Sequence, residues 1–174
     1  MREVADKLLA TDKKFFFCVT GASLIFTENL MAFGGASNNV IGTYQPYAYE
    51  QLATLVNLDK GDKCVCEDTA KRMVGGVIRR FKLPINTIVV SCTASLCKRD
   101  AERADRANEA YIAISTPFDF IYGSITNSNK TIVKHFTYNK IQAENNSVRY
   151  MQEKTLANDI LYSLMDYINE VSKV

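Results

Sequence analysis

Residues 67–92 read EDTAKRMVGGVIRRFKLPINTIVVSC, and the two halves of this stretch follow different rules. In the first half Ala70, Met73, Val74, Val77, Ile78 and Phe81 fall on one helical stripe. In the second, NTIVVSC is a β-branched run without polar alternation, the pattern of a strand buried on both faces. Gly75-Gly76 inside the helix costs about 1 kcal/mol per residue against alanine, a cost that makes sense where another backbone packs closely. A doubly buried strand needs helices on both sides of its sheet, so this stretch points to a layered α/β fold.

Working outward, Val4, Leu8 and Leu9 have helical spacing near the start, and KKFFFCVT (residues 13–20) is a short continuous apolar run that reads as a second buried strand. Gly21 breaks it, ASLIFTENLMAF (22–33) resumes helical spacing, and Gly34-Gly35 ends that helix. NNVIGTYQPY (38–47) is extended, with Pro46 suited to a strand end or edge, and YEQLATLVNL (49–58) is helical again. Toward the C-terminus, EAYIAIST (109–116) and NKTIVKHFTY (129–138) read as strands, with TPFDFIYGSITNSNK (116–130) as a hairpin or excursion between them. Val148, Met151, Thr155, Leu156, Ile160, Leu164, Ile168 and Val171 mark one face of a long helix over residues 147–171. The expected architecture is a three-layer α/β/α domain over residues 1–174, with a mixed, mostly parallel central sheet.

The totals exclude several classes. At 174 residues, 47% hydrophobic and 23% charged, the composition is that of one globular domain. A formal charge of +2, with both signs mixed in CKRDAERADR, gives no footprint for nucleic acid. FFFCVTGASLIF is too short to span a bilayer, and MREVADKLLATDKK lacks the order of a signal peptide, so a soluble, cytoplasmic protein is expected, without a membrane partner. Cys18, Cys64, Cys66, Cys92 and Cys97 make an odd count suited to a reducing compartment. Neither the CxC of Cys64–Cys66 nor the CxxxxC of Cys92–Cys97 is a usual zinc spacing, and one histidine, His135, sits in an alternating strand run, so no metal is expected.

Three polar, small-residue segments fall where an open α/β sheet usually binds ligands, beyond the carboxyl ends of its strands. They are Thr20-Gly21-Ala22-Ser23, Ser91-Cys92-Thr93-Ala94-Ser95 and the turn from Gly34 to Ser37, which opens a segment with no charged residue between Glu28 and Glu50. TGAS before a helix reads either as a phosphate or carboxylate cradle or simply as a cap. The serines and cysteines have no GxSxG elbow and no histidine base beside them in sequence.

These pieces resemble the C-terminal domain of the competence/damage-inducible CinA proteins, a family that includes nicotinamide mononucleotide deamidases. FCVTGASL stands where that family has a Glu-Ser-Cys-Thr-Gly-Gly turn. Gly35-Ala36-Ser37 stands for its Gly-Ser-Ser turn, and Tyr47, ten residues on, for its Tyr-Ser-Asn-x-x-Lys motif. VVSCTASL falls where the family has a glycine-rich loop after the central strand, ANEAYIAI resembles its next strand, and SVRYMQE the start of its last helix. The resemblance implies Ser37 as nucleophile and Tyr47 as its catalytic partner. It adds Ser91 and Arg149 by position to a binding set of Thr20, Gly21, Ser23, Gly35, Ala36, Cys92 and Thr93 around a pyridine mononucleotide-type ligand, and Arg103 and Arg106, in a segment LCKRDAERADRA that replaces the family's glycine-rich loop, are candidates for its phosphate. It also implies release of ammonia from the ligand's carboxamide, no cofactor, and a homodimer. Three positions depart from the pattern: the family's lysine falls on Leu52, its first-turn glutamate on Val19 and an arginine on Asn145, leaving Glu50 and Lys60 as the nearest replacement bases. Two readings stand: an amidohydrolase of the nicotinamide-nucleotide type, or an inactive member serving as a nucleotide-binding, regulatory or dimeric interaction module.

Overall fold

The computed structural model describes residues 2–32, 34–97, 106–126, 131–139 and 147–172. In chain order the elements are α1 (Arg2–Leu9), β1 (Lys14–Thr20), α2 (Ile25–Met31), a one-turn 3₁₀ helix (Ala36–Asn38), β2 (Val40–Tyr44), α3 (Tyr49–Val56), α4 (Glu67–Phe81), β3 (Thr87–Ser95), β4 (Asn108–Ser115), α5 (Pro117–Thr126), β5 (Ile132–Tyr138) and α6 (Ser147–Val171). The five strands form one sheet in the order β2-β1-β3-β4-β5. β1 pairs in parallel with β2 and β3, whereas β4 runs antiparallel to both β3 and β5. Four strands therefore share one direction and β4 alone opposes them, so the sheet is mixed as expected.

The strand residues dictate the layers. Phe15, Phe17 and Val19 of β1, with Ile88, Val90 and Cys92 of β3, face a core shared with α1, α2 and α6. Phe16 and Cys18, with Val89, face a second core under α3 and α4. Two covered faces explain why Phe15–Val19 of β1 and Ile88–Val90 of β3 are uninterrupted apolar runs rather than alternating ones.

Close approach explains the glycine pair in α4. A Cβ at Gly76 would stand 2.6 Å from the Leu55 carbonyl oxygen of α3, and one at Gly75 would stand 2.3 Å from the Phe120 ring. Gly76→Ala is therefore expected to destabilise the protein by about 1–3 kcal/mol through overpacking, despite alanine's better helix propensity. Urea denaturation reads this directly, and a stabilised variant would show that α3 and α4 do not touch at Gly76.

The segment expected as a hairpin or excursion contains α5. Its start is capped by a side chain: Thr116 Oγ1 accepts from Asp119 N–H at 3.1 Å and donates to Asp119 Oδ2 at 2.8 Å, with Pro117 in the first turn. The Thr-Pro-x-Asp signal was present in the sequence, but the glycine and short apolar run after it concealed the helix.

The topology fixes where a ligand can enter. From β1 the chain crosses through α2 to β2 on one side, then through α3 and α4 past β1 to β3 on the other. The chain thus moves outward from β1 to β2 and then back past β1 to β3, and this reversal opens a crevice at the carboxyl ends of β1 and β3.

Candidate functional site

A cleft of ≈ 310 Å³ lies at that crevice. Thr20 and Gly21 from the end of β1, and Thr93 through Leu96 from the end of β3, line its base. Tyr47, Tyr49 and Leu52 line it from the β2–α3 connection and α3, Cys64 and Val65 from the segment before α4, and Arg106 and Arg149 complete it.

Two buried hydroxyls fasten the walls to the sheet. Thr20 Oγ1 donates to the Pro46 carbonyl at 2.7 Å, holding the connection that carries Tyr47. Thr93 Oγ1 donates to the Cys64 carbonyl at 2.6 Å, holding the loop that enters α4. These threonines shape the cleft with their hydroxyl protons already committed. Tyr47 is 65% exposed, which leaves its ring face available to a flat ligand. Arg106 is exposed as well, whereas Leu52 is buried and belongs to the core under α3 and α4.

The TGAS turn does cradle a carboxylate, and the carboxylate is the protein's own. Ser23 N–H and Oγ–H donate to Glu153 Oε2 at 2.7 and 2.8 Å. Glu153 Oε1 takes the Arg149 guanidinium at 2.8 Å from Nη2, and Arg149 Nη2 also donates to the Gly21 carbonyl at 2.9 Å. Arg149 Nη1 reaches the Cys97 carbonyl at 3.3 Å. Gln152 of the same helix accepts from Cys97 N–H at 2.7 Å. The start of α6 is thereby clamped to the ends of β1 and β3, and Arg149 lines the cleft with its charge largely matched by Glu153. The Arg-x-x-x-Glu spacing, one helical turn, was the available signal for this pair.

Thr20, Gly21, Tyr47, Thr93, Arg106 and Arg149 thus meet in the cleft, and Ser23 stands behind it. Ser91 does not: it is buried, and its Oγ donates to the Ala70 carbonyl at 2.7 Å and approaches that of Ala113 at 3.3 Å. Cys92 faces the other core, where burial pushes its thiol well above the usual range. Neither Ser91 nor Cys92 can touch a ligand in the cleft. Val19 is buried in that same core. Arg103 and Asn145 lie outside the described residues. Tyr49 and Cys64 line the cleft without any binding signal in the sequence, and Ser95 joins them from the end of the Ser91–Ser95 segment.

Gly35, Ala36 and Ser37 sit at the opposite end of the sheet. Their turn precedes β2, and Asn39 Nδ2 ties it to the Thr11 and Lys13 carbonyls at 2.8 and 3.0 Å, beside the start of β1. All of β2, five residues long, separates Ser37 from Tyr47, a span of roughly 17 Å at about 3.3 Å per residue. Within one chain, Ser37 and Tyr47 do not share a site. No carboxylate, amine or imidazole is among the described residues lining the cleft, and Glu50 and Lys60 are exposed elsewhere. His135, as expected, is a strand-surface residue: it stacks on Tyr111 with centroids 4.2 Å apart and its Nε2 lies 2.8 Å from Glu109 Oε2. No group of three or more metal-ligating side chains and no helix long and apolar enough to cross a membrane occurs among the described residues.

Compared by sequence, the chain matches no family model and no curated protein. Compared by structure, it is similar to the competence/damage inducible protein CihA from Agrobacterium tumefaciens, with a TM-score of 0.70 at 14% identity over 95% of this chain and 94% of that one. It is similar to the competence damage-inducible protein A (ComA) from Klebsiella pneumoniae, with a TM-score of 0.71 at 10% identity over 97% and 96% of the two chains. A CinA superfamily protein from Escherichia coli gives 0.67 at 10% identity over 94% of this chain and 86% of that one. At such identities the likeness is one of fold. The chain shares its fold with the CinA superfamily of competence/damage-inducible proteins, the family its motifs resemble.

Proposed function

We propose that the chain binds a small anionic ligand carrying a flat ring, of the pyridine mononucleotide type, in the cleft at the carboxyl ends of β1 and β3, and does not hydrolyse the ligand's carboxamide. The observation that carries this reading is the composition of the cleft. An exposed Tyr47 ring and an exposed Arg106 guanidinium stand over a wall of small residues and threonines, with Leu52 buried at its edge. An aromatic face suits a heterocycle, and a guanidinium suits a phosphate. The volume of ≈ 310 Å³ falls at the lower end of the roughly 300–1,000 Å³ usual for small-molecule sites.

The same composition argues against hydrolysis. A serine or thiol attacking a carboxamide needs a base to take its proton, an assistance worth roughly 10²–10⁴ in rate. Leu52 supplies none, and Ser37 lies at the far end of β2.

The expected result is that nicotinamide mononucleotide raises the melting temperature without release of ammonia. Tyr47→Ala should weaken binding by about 1–3 kcal/mol, the usual worth of stacking a base on an aromatic ring. Arg106→Ala should weaken it as well, and Ser37→Ala should leave it unchanged. Ammonia release abolished by Ser37→Ala would overturn the reading in favour of an amidohydrolase. No thermal shift with any nucleotide would overturn the cleft as a nucleotide site.

A further inference from the structure

The five cysteines divide into two groups. Cys18, Cys92 and Cys97 are buried, whereas Cys64 and Cys66 are partly exposed and separated only by Val65. Cys64 lines the cleft, and its carbonyl is held by Thr93. Cys66 is the N-cap of α4: its Sγ accepts from Thr69 N–H at 3.5 Å, lies 3.4 Å from Thr69 Oγ1, and donates to the Lys63 carbonyl at 3.5 Å. Sulfur is a weak hydrogen-bond partner, so these contacts restrain the thiol less than a hydroxyl cap would be restrained.

We infer that Cys64 and Cys66 form a redox pair that closes to a disulfide under hydroperoxide, exchanging the α4 cap for a covalent loop in the cleft wall. Geometry permits it. Residues two apart cannot be separated by more than roughly 7 Å, and a disulfide requires Cα atoms roughly 4.4–6.8 Å apart. The backbone is irregular at Cys64 and Val65 before it enters α4 at Cys66, so no strand or helix ladder fixes the pair apart. The occupant of the cleft does not enter into it.

The chemistry balances with the peroxide as sole oxidant. The Cys64 thiolate attacks the terminal peroxide oxygen, the O–O bond breaks, and an alcohol or water leaves after taking up a proton. The Cys64 sulfenic acid is then attacked by Cys66 sulfur. The S–O bond breaks, and hydroxide departs as water with the proton from Cys66. Two thiols lose two electrons and the peroxide gains them. The Cys66 S–H then no longer donates to Lys63, and its sulfur turns from Thr69 N–H, freeing the first turn of α4.

Trypsin isolates the pair on one peptide, CVCEDTAK, residues 64–71, which holds no other cysteine. After brief hydrogen peroxide treatment of the folded protein, alkylation and digestion, this peptide should appear unalkylated and lighter by two hydrogens. It should form faster than in the synthetic peptide of the same sequence, and the amide of Thr69 should exchange faster in the oxidised protein. Cys64→Ser and Cys66→Ser should each abolish the species. The inference is overturned if both thiols remain alkylatable, if they over-oxidise independently, if either links to Cys97, or if the free peptide oxidises as fast as the protein.

Discussion

Gly21→Ala is expected to destabilise the protein by about 3–5 kcal/mol, the sum of a left-handed backbone cost and an overpacking cost. Gly21 has φ +72°, a region in which a side chain is strained, and a Cβ there would stand 1.8 Å from the Ala94 carbonyl oxygen. That atom is backbone of β3, paired to β1 in register from Lys14↔Thr87 to Thr20↔Thr93, so it cannot swing aside as a side chain would. Relief would require separating the two central strands at the base of the cleft. Equilibrium urea denaturation measures the loss. A change below about 1 kcal/mol, the size of an ordinary point substitution, would mean that β1 and β3 do not end as tightly as described.

Glu153→Ala is expected to cost about 3 kcal/mol or more, because it leaves a partly buried guanidinium without its counter-charge and Ser23 N–H without its acceptor. Glu153 is 8% exposed and joins Ser23 on one side to Arg149 on the other. Glu153→Gln keeps the shape and one acceptor and should lose less. The double variant Arg149→Met with Glu153→Leu should be less damaging than the two single changes added, since it removes both charges together. Additive losses measured by thermal unfolding would show that the pair acts independently.

The sheet was legible because its central strands are buried on both faces, which forces uninterrupted apolar runs at Phe15–Val19 and Ile88–Val90. The long final helix was legible from the part of its stripe that is buried, Leu156, Ile160, Leu164 and Ile168, whereas Met151 and Val171 are exposed, and the Gly75-Gly76 pair announced the close approach of Leu55 and Phe120. The candidate site was only half legible. TGAS is open in the sequence between an anion cradle and a cap, and the carboxylate that its Ser23 holds belongs to Glu153, 130 residues away, of which local sequence holds no trace. Grouping Ser37 with Tyr47 met a simpler obstacle. A strand between two residues places them at opposite ends of a sheet, and the uncharged character of the segment reflects an edge strand and its turns rather than one continuous rim. Ser91 and Cys92 were drawn to the cleft by their place near a strand end. The strand continues to Ser95, so only its last residues reach the cleft.

The location of binding is the central claim, and amide chemical-shift mapping during titration with nicotinamide mononucleotide tests it most directly. The expected shifts fall on Thr20 and Gly21, Thr93 to Leu96, and Tyr47 to Leu52, with Gly35 to Ser37 silent. Shifts centred on Gly35 to Ser37, or none on the cleft residues at saturating nucleotide, would contradict it.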